Sequence, residues 1–400
     1  MIFYYLTLLL MPFDNHPILA YNYHGITPIK IAGGLSLIAA LHRLLTIRNR
    51  RPIFSAAQTK YLLLFAMIFF ASALVNFSDY NETAMLRFIS IIIFYIATVI
   101  LVDTRERFIA SFILIAFSMN VASLYVFREY SLYSNIYEEF RPGGILNDPN
   151  YTALNLLLFM PVVYLLYGAS KRKMHKIFLL GSFAIYIGAF ALCQSRGGII
   201  GLAVQMVVAL YYMRLQIGKI ILMGITAAVI ITFMPVSITH RFTDTESAGV
   251  KKSTEMRFAL IYSGLAMVKD NPGLGVGPGN FKEYSRRYSE DVQKRQIAHN
   301  SYLELAAELG IFGLLFFFMT CIRTLKELKK AIILTSDDML VQAILKGMKI
   351  GIIGYLVTSV FLSAEYENLI WLFVFLVISS ENFISQKASD NKASFHETTA

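Results

Sequence analysis

The amino-acid sequence predicts an all-α, polytopic membrane protein with about twelve transmembrane helices. Of the 400 residues, 56% are hydrophobic and only 16% are charged, whereas a typical soluble domain has roughly 25% charged residues. The mean hydropathy is +0.57, and the apolar residues form blocks long enough to cross the roughly 30 Å hydrocarbon core of a bilayer. This composition excludes a soluble enzyme, a nucleic-acid-binding domain and a small disulfide-stabilised scaffold.

The predicted helices divide the chain into four parts. Nine helices fall in residues 1–236 and three in residues 301–380. Residues 237–300 form one large loop between them, and residues 381–400 are polar enough to predict a disordered tail. The predicted segments lie near residues 1–13, 26–47, 60–77, 84–102, 108–127, 151–167, 176–193, 197–213, 219–236, 301–322, 348–363 and 368–380.

Lysine and arginine predict which loops face the cytoplasm, because basic residues are enriched in short cytoplasmic loops. With a cytoplasmic N-terminus, the basic residues fall in every second loop, and the short loops between them are acidic or neutral. Both termini are therefore predicted to be cytoplasmic, with the 237–300 loop facing outward. The formal net charge of +10 is then mainly a topology signal, and it does not indicate nucleic-acid binding.

The 237–300 loop is predicted to contain short helices. A helix-like apolar pattern from Met256 to Val268 argues against complete disorder, so we expect the loop to fold against the outer membrane surface. Charged residues inside the predicted spans are scarce. Lys30 and Arg87 lie near outward helix ends, where long side chains can reach the polar interface. The chemistry is therefore expected on the outward side.

Three outward motifs place polar residues next to turns. Arg141-Pro-Gly-Gly and Asn147-Asp-Pro-Asn150 predict a tight turn with a helix cap, for which a structural role is the simpler interpretation. Gln194-Ser-Arg196-Gly-Gly places an arginine beside a helix N-terminus that favours anions, either as a lipid-phosphate contact or as a functional group. Arg241 and Arg257 precede the glycine run 271–280, whose spacing fits neither the Walker nor the dinucleotide-binding pattern.

A fourth motif, His299-Asn300-Ser301-Tyr302, leads into an apolar helix. Ser301 and Glu304 have capping-box spacing, which places His299 just ahead of a helix N-terminus. Nearby arginines and the positive helix end disfavour the imidazolium, so the pKa of His299 is expected to be lowered. The alternatives are a structural histidine and a neutral general base. A base among arginines, with no metal-ligand cluster, points to chemistry on a lipid-linked phosphate or diphosphate.

These four motifs, in this order, resemble the O-antigen ligase / O-antigen polymerase superfamily of bacterial inner-membrane glycosyltransferases. The resemblance implies a GT-C-like helical transferase that acts at the periplasmic face without a metal or other cofactor. It also implies a donor glycan carried on undecaprenyl diphosphate. The matching stretches are RPGGILNDPN at 141–150, SRGG at 195–198, EMRFALIYSGLAMVKDNPGLGVGPGNF at 255–281 and HNSYLELAAELGIFGLL at 299–315.

The resemblance assigns the essential residues of the family to Arg196, Arg257 and His299. The two arginines would hold the diphosphate, and His299 would deprotonate the acceptor hydroxyl for inverting attack at the anomeric carbon. Arg241, Arg286 and Arg287 remain alternatives for the second arginine, because they lie in the same loop. The residues expected to bind substrate are Arg141, Asn150, Arg241, Arg286, Arg287, Asn300 and Tyr302.

The acceptor is the open question. A ligase transfers the glycan to lipid A-core, and the single dominant outward loop favours this interpretation. A polymerase transfers it to another lipid-linked repeat unit, but polymerases often have a second sizeable loop, and residues 128–150 are short. A protein O-oligosaccharyltransferase usually has a substantial C-terminal domain, which residues 381–400 do not resemble. A polysaccharide transporter would require inverted repeats with broken helices and polar groups at mid-membrane depth, and the sequence predicts neither.

Overall fold

A computed structural model describes residues 1–14, 27–46, 52–137, 140–213, 248–292 and 294–398. Within these ranges the chain forms α-helices and short 3₁₀ turns, with no β-strand. The predicted all-α class is therefore confirmed for the described part of the chain. The predicted helix at 219–236 and the candidate residue Arg241 lie outside the described residues.

Thirteen α-helices are described. Three 3₁₀ turns, Met11–Phe13, Gly144–Leu146 and Ser359–Phe361, accompany them. The helices are α1 (Ile2–Leu10), α2 (Pro28–Thr46), α3 (Ala57–Val75), α4 (Asp79–Leu101), α5 (Arg105–Tyr133), α6 (Pro149–Ala169), α7 (Lys173–Cys193), α8 (Arg196–Met213), α9 (Ala248–Asp270), α10 (Phe281–Tyr288), α11 (Ser301–Leu334), α12 (Met339–Thr358) and α13 (Asn368–Thr398).

Nine of the described helices are long and apolar enough to cross a membrane, namely α2 to α7 and α11 to α13. Two shorter apolar helices, at Ile2–Phe13 and Arg196–Tyr211, correspond to the first and eighth predicted segments. The chain is therefore a polytopic α-helical membrane protein. The total of twelve spans stays a prediction.

The C-terminal helix is longer than the sequence predicts. α13 continues to Thr398, so residues 381–398 are helical where a disordered tail was expected. Two contacts support the start of this extension. Gln58 donates a 3.0 Å hydrogen bond to Glu381, and the ring of Phe383 packs against Phe108 at a centroid distance of 5.5 Å. The polar composition of the tail gave no indication of these long-range contacts.

Glycines allow α12 to pack closely against α6 and α8. A Cβ atom at Gly351 would lie 2.5 Å from the carbonyl oxygen of Leu158 in α6, and one at Gly354 would overlap the side chain of Gln205 in α8. Gln205 also donates a 2.8 Å hydrogen bond to the carbonyl of Leu157. Small residues and interhelical hydrogen bonds are typical of helix contacts in membranes. This packing fixes the position of α8, whose first residue is Arg196.

α11 is broken at Gly310, which has φ +70°. The amide of Ile311 donates to the carbonyl of Pro272 at 2.9 Å. Two carbonyls just before the break accept the amides of Val276 and Gly277, at 2.8 and 2.9 Å. Backbone groups freed in a membrane helix must be satisfied by other protein groups, and the segment before α10 supplies them. The sequence analysis did not predict the break in α11, because an isolated glycine in an apolar run does not reveal such a partner.

Gly310→Ala is expected to destabilise the protein substantially. Gly310 combines φ +70° with ψ −176°, a region that essentially only glycine occupies and that costs another residue about 1–3 kcal/mol. The new Cβ would also collide with the carbonyl oxygen of Gly273. The measurement is the Tm of the purified protein in detergent. Gly168→Ala in α6 is the matched control, because its Cβ would meet nothing within 4 Å. Equal Tm values for the two variants would contradict the role given to the break.

Ion pairs join several basic residues at one end of the bundle. Asp103 accepts from Arg43 at 2.8 Å and from Arg107 at 2.7 Å, and Arg105 pairs with Asp338. These residues link the end of α2, the start of α5 and the start of α12. We call this the opposite end, because the candidate active site lies at the other end of the bundle. It contains basic residues that the sequence analysis assigned to the cytoplasm. The assignment of this end to the cytoplasm stays a prediction.

Candidate active site

The N-termini of α6, α8 and α11 meet the segment 359–367 at the other end of the bundle, here called the site end. Tyr151 in α6 donates a 2.6 Å hydrogen bond to a carbonyl of this segment. Ser301 in α11 donates to another of its carbonyls at 2.7 Å. Gly197 in α8 has no room for a side chain, because its Cβ would lie 2.9 Å from Phe361. The segment 359–367 therefore holds three helix N-termini together.

His299 lies immediately before α11, in a conformation that few side chains adopt. Its φ is +51°, and its side chain is half-buried. Asn300 is the N-cap of α11, since its side-chain oxygen accepts the amides of Tyr302 and Leu303, both at 3.1 Å. A left-handed non-glycine residue of this kind is uncommon, and such residues cluster at functional sites. The prediction that His299 precedes a helix N-terminus is confirmed.

The predicted capping box between Ser301 and Glu304 is wrong. Ser301 is engaged with the segment 359–367, where it also accepts the amide of Ala364 at 2.8 Å, so Asn300 takes the cap. Glu304 accepts the amide of Ala298 at 3.0 Å and a hydrogen bond from Ser363. This carboxylate therefore ties the residue before His299 to the segment 359–367.

The electrostatic surroundings of His299 favour its neutral form. Burial lowers its pKa, the positive charge of Arg257 lowers it further, and the carboxylate of Asp148 opposes both effects. The direction agrees with the sequence prediction, but burial rather than charge is the larger cause. Among the described arginines of the 237–300 loop, Arg257 is the one whose charge acts on His299. Arg257 itself is an exposed residue of α9.

Removing the charge of Arg257 is expected to raise the pKa of His299 toward its ordinary value. Arg257→Ala should do so, whereas Arg257→Lys keeps the charge and should leave the pKa near that of the wild type. The imidazolium would then persist to higher pH in the alanine variant. The measurement is an NMR titration of the ¹³C-labelled imidazole, assigned with a His299 variant, so it requires no turnover. An unchanged titration in Arg257→Ala would contradict the proximity of these two residues.

Arg196 is the exposed first residue of α8 and follows a sharp turn. Gln194 ends α7 in a left-handed conformation with φ +50°. Arg141 holds this turn, since its guanidinium donates to the carbonyl of Cys193 at 2.8 and 3.1 Å and to that of Gln194 at 3.2 Å. It also donates to Asn150 at 2.9 Å. Arg141 and Asn150, which the sequence analysis assigned to substrate binding, are thus engaged in positioning the turn before Arg196.

The other predicted binding residues are spread over the site end. Tyr302 donates its hydroxyl to the carbonyl of Leu356 and stacks on Phe318 at 4.9 Å, so it faces the bundle. Arg286 and Arg287 are exposed on α10, and the guanidinium of Arg287 lies 4.4 Å from the ring centre of Tyr284. The structure does not link these two arginines to His299.

The glycine run 271–280 has a structural role in the described contacts. Gly275, Gly277 and Gly279 all have positive φ, which suits a sharply folded loop. Asn76, the C-cap of α3, donates to the carbonyl of Gly275 at 3.1 Å, and Asn81 in α4 donates to that of Pro278 at 2.8 Å. The run therefore packs against α3, α4 and the broken part of α11.

Asp148 and the segment 359–367 are the parts of the site that the sequence analysis missed. Asp148 was expected only as a helix cap, and it does cap α6 by accepting the amides of Asn150 at 2.7 Å and Tyr151 at 3.3 Å. Its negative charge raises the pKa of His299, although the two residues are 151 positions apart in the chain. The sequence of segment 359–367 contains no motif that indicates a site; it shows only a short acidic loop between two apolar runs.

The site end combines His299, a candidate base, with several arginines, of which Arg257 acts on the pKa of His299. A neutral imidazole can accept a proton, and arginines near helix N-termini can bind phosphate oxygens. Among the residues that the structure covers, no group of three or more His, Cys, Asp or Glu side chains is placed to hold a metal ion.

Comparison with known proteins gives one family. Residues 154–318 match the family described as O-antigen ligase. The matched region runs from α6 into α11 and contains Arg196, Arg257 and His299. No curated protein matches the chain.

Proposed function

We propose that the chain is an O-antigen ligase with a GT-C-like architecture, a proposal supported by the match of residues 154–318 to the O-antigen ligase family. It transfers a glycan from undecaprenyl diphosphate to a hydroxyl of lipid A-core, with inversion and without a metal. The family supports the coarser statement, a lipid-linked glycan transferase of the ligase or polymerase kind. The observation that carries the proposal is a half-buried histidine of lowered pKa, set in the field of Arg257 at a junction of helix N-termini.

The proposed mechanism divides the work between His299 and the two arginines. Neutral His299 accepts the proton of the acceptor hydroxyl as its oxygen bonds to the anomeric carbon of the donor. The bond from that carbon to the diphosphate oxygen breaks on the opposite face, so the configuration inverts. Arg196 and Arg257 stabilise the negative charge of the departing undecaprenyl diphosphate. The proton remains on His299 until it is lost to water.

The proposed orientation places the site end in the periplasm and both termini in the cytoplasm of a bacterial inner membrane. The basic opposite end supports this orientation through the positive-inside rule. Lipid A-core is the proposed acceptor because 237–300 is the dominant outward segment, as in ligases, and no second large outward loop is predicted.

Deletion of the gene in its native bacterium tests the acceptor. The proposal predicts rough lipopolysaccharide together with accumulated lipid-linked polymer, restored to smooth by the wild-type gene. Lipid A-core that carries a single repeat unit would replace the ligase proposal by a polymerase. Unchanged lipopolysaccharide would overturn both and indicate an exopolysaccharide or protein acceptor.

A further inference from the structure

One series of hydrogen bonds joins the turn before Arg196 to the residue before His299. It begins at Gln194, whose carbonyl accepts a 3.2 Å hydrogen bond from the guanidinium of Arg141. The same guanidinium donates at 2.9 Å to the side-chain oxygen of Asn150, in the first turn of α6. The turn before Arg196 is therefore fixed to the N-terminus of α6.

Ser363 continues the series from α6 to α11, because its carbonyl and its hydroxyl each bind a different helix. The carbonyl accepts a 2.6 Å hydrogen bond from the hydroxyl of Tyr151, the residue that follows Asn150. The hydroxyl of Ser363 donates to the carboxyl group of Glu304, in the first turns of α11. A serine hydroxyl has a single proton to donate, so this donor is committed to Glu304.

The series ends at the backbone of His299. The carboxyl oxygen of Glu304 that binds Ser363 also accepts the amide of Ala298 at 3.0 Å. On the other side of the histidine, Asn300 caps α11. His299 is thus held through both of its neighbours in a left-handed conformation with φ +51°. The Ser363 hydroxyl helps to hold the carboxyl group on which one of these neighbours depends.

Ser363 is itself held in place through the residues on either side of it. The hydroxyl of Ser301 donates to the carbonyl of Leu362 at 2.7 Å and accepts the amide of Ala364 at 2.8 Å. The hydroxyl of Tyr355 donates to the carbonyl of Ala364 at 2.7 Å. A residue fixed in this way can place the groups that it binds, which is the support that a precise active site requires.

We propose that Ser363 is a positioning residue of the transfer reaction, which sets the place of His299 relative to Arg196. It acts through Glu304 on the side of the base and through Tyr151 on the side of the arginine. A displacement of about 1 Å in an active site can lower a rate by roughly 10²-fold, so this support acts on the rate of the chemical step. The inference rests on the proposed function for the roles of His299 and Arg196.

Ser363→Ala and Ser363→Thr test the proposal, because alanine removes the hydroxyl and threonine keeps it. We expect Ser363→Ala to lower kcat roughly 10- to 100-fold with an unchanged KM, and Ser363→Thr to retain most of the wild-type kcat. The kinetics are measured with the purified full chain in detergent, lipid-linked donor and lipid A-core.

A second measurement on the same variants requires no turnover. Burial and the charge of Arg257 set the pKa of His299, so a displaced imidazole should titrate differently. We expect the NMR titration of its ¹³C-labelled imidazole to change in Ser363→Ala and to stay as in the wild type in Ser363→Thr. An unchanged titration together with an unchanged kcat in Ser363→Ala would overturn the inference.

Tyr151→Phe tests the other half of the series, because it removes the hydroxyl that binds the carbonyl of Ser363. If both halves act through Ser363, the double variant Tyr151→Phe/Ser363→Ala should lose less kcat than the product of the two single losses. Independent, multiplicative losses would overturn the connection between the two halves. Should Ser363→Ala fail to fold, Tyr151→Phe decides alone, since a wild-type kcat in this variant would equally overturn the inference.

Two matched controls separate positioning from stability. Ser379 donates its buried hydroxyl to the carbonyl of Leu376 at 3.2 Å, and Tyr186 donates to that of Ala116 at 2.7 Å. Ser379→Ala and Tyr186→Phe lose the same kinds of hydrogen bond away from the site, so they should leave kcat and the His299 titration unchanged even where Tm falls. Equal losses of kcat in the controls would overturn the inference. Unchanged lipopolysaccharide in the deletion strain would overturn the proposed function, whereas the His299 titration would still decide the positioning.

Discussion

His299→Ala is expected to reduce glycan transfer by roughly 10²–10⁴-fold, the usual contribution of a general base. Without the imidazole, the acceptor hydroxyl would have to attack as a neutral alcohol. The lowered pKa of His299 supports this role, because a neutral histidine is the form that accepts a proton. Transfer is measured with purified protein, lipid-linked donor and lipid A-core, at saturating concentrations of both.

His299→Asn tests the loss of the imidazole without a loss of the backbone conformation at this position. Asparagine tolerates the left-handed region better than most residues, so the turn with φ +51° should persist, while no group of suitable basicity replaces the imidazole. His175→Ala is the matched control, since His175 is exposed at the start of α7, at the opposite end. Normal transfer by His299→Asn would exclude His299 as the base.

The sequence analysis predicted the features that depend on local composition. Long apolar blocks predicted the membrane class, and the motifs at Arg196 and His299 predicted residues next to helix N-termini, where the structure places them. The Asp148 cap was predicted in the same way. These features are encoded within a few residues of one another, so a single sequence contains the necessary information.

The features that the sequence did not predict depend on distant partners. The positioning role of Arg141 rests on carbonyls of Cys193 and Gln194, which follow it by 52 and 53 positions. The break at Gly310 rests on Pro272. Asn300 takes the cap of α11 because Ser301 bonds to the segment 359–367. No local pattern records such contacts, so the sequence analysis did not predict that residues expected to bind substrate also hold the framework.

The framework residues explain how the proposed catalytic groups can be placed accurately. Arg196 follows a sharp turn at Gln194, and His299 itself has a left-handed backbone conformation. Each of these places is tied to a distant part of the chain. Arg141 clamps the turn before Arg196, and Glu304 clamps the amide of Ala298 before His299. Such support matters because an active site loses rate when its groups shift by about 1 Å.

Arg196→Ala is expected to lower the maximal transfer rate by roughly 10²–10³-fold, comparable to the loss of one donor that stabilises transition-state charge. The guanidinium at the start of α8 acts together with the helix N-terminus, which favours anions. Because negative charge grows on the diphosphate as the glycosidic bond breaks, the loss should fall mainly on kcat. Arg196→Lys should recover part of it, since lysine restores the charge without the bidentate geometry.

Arg172→Ala provides the matched control for Arg196, because Arg172 is also an exposed arginine at the start of a helix, α7, but at the opposite end. It should leave both kcat and KM unchanged. If Arg196→Ala raised KM alone, Arg196 would bind the donor equally well in the ground state and in the transition state. Stabilisation of the leaving group would then be assigned to Arg257. Wild-type kinetics in Arg196→Ala would remove Arg196 from the mechanism, because its guanidinium would then contribute neither binding nor charge stabilisation.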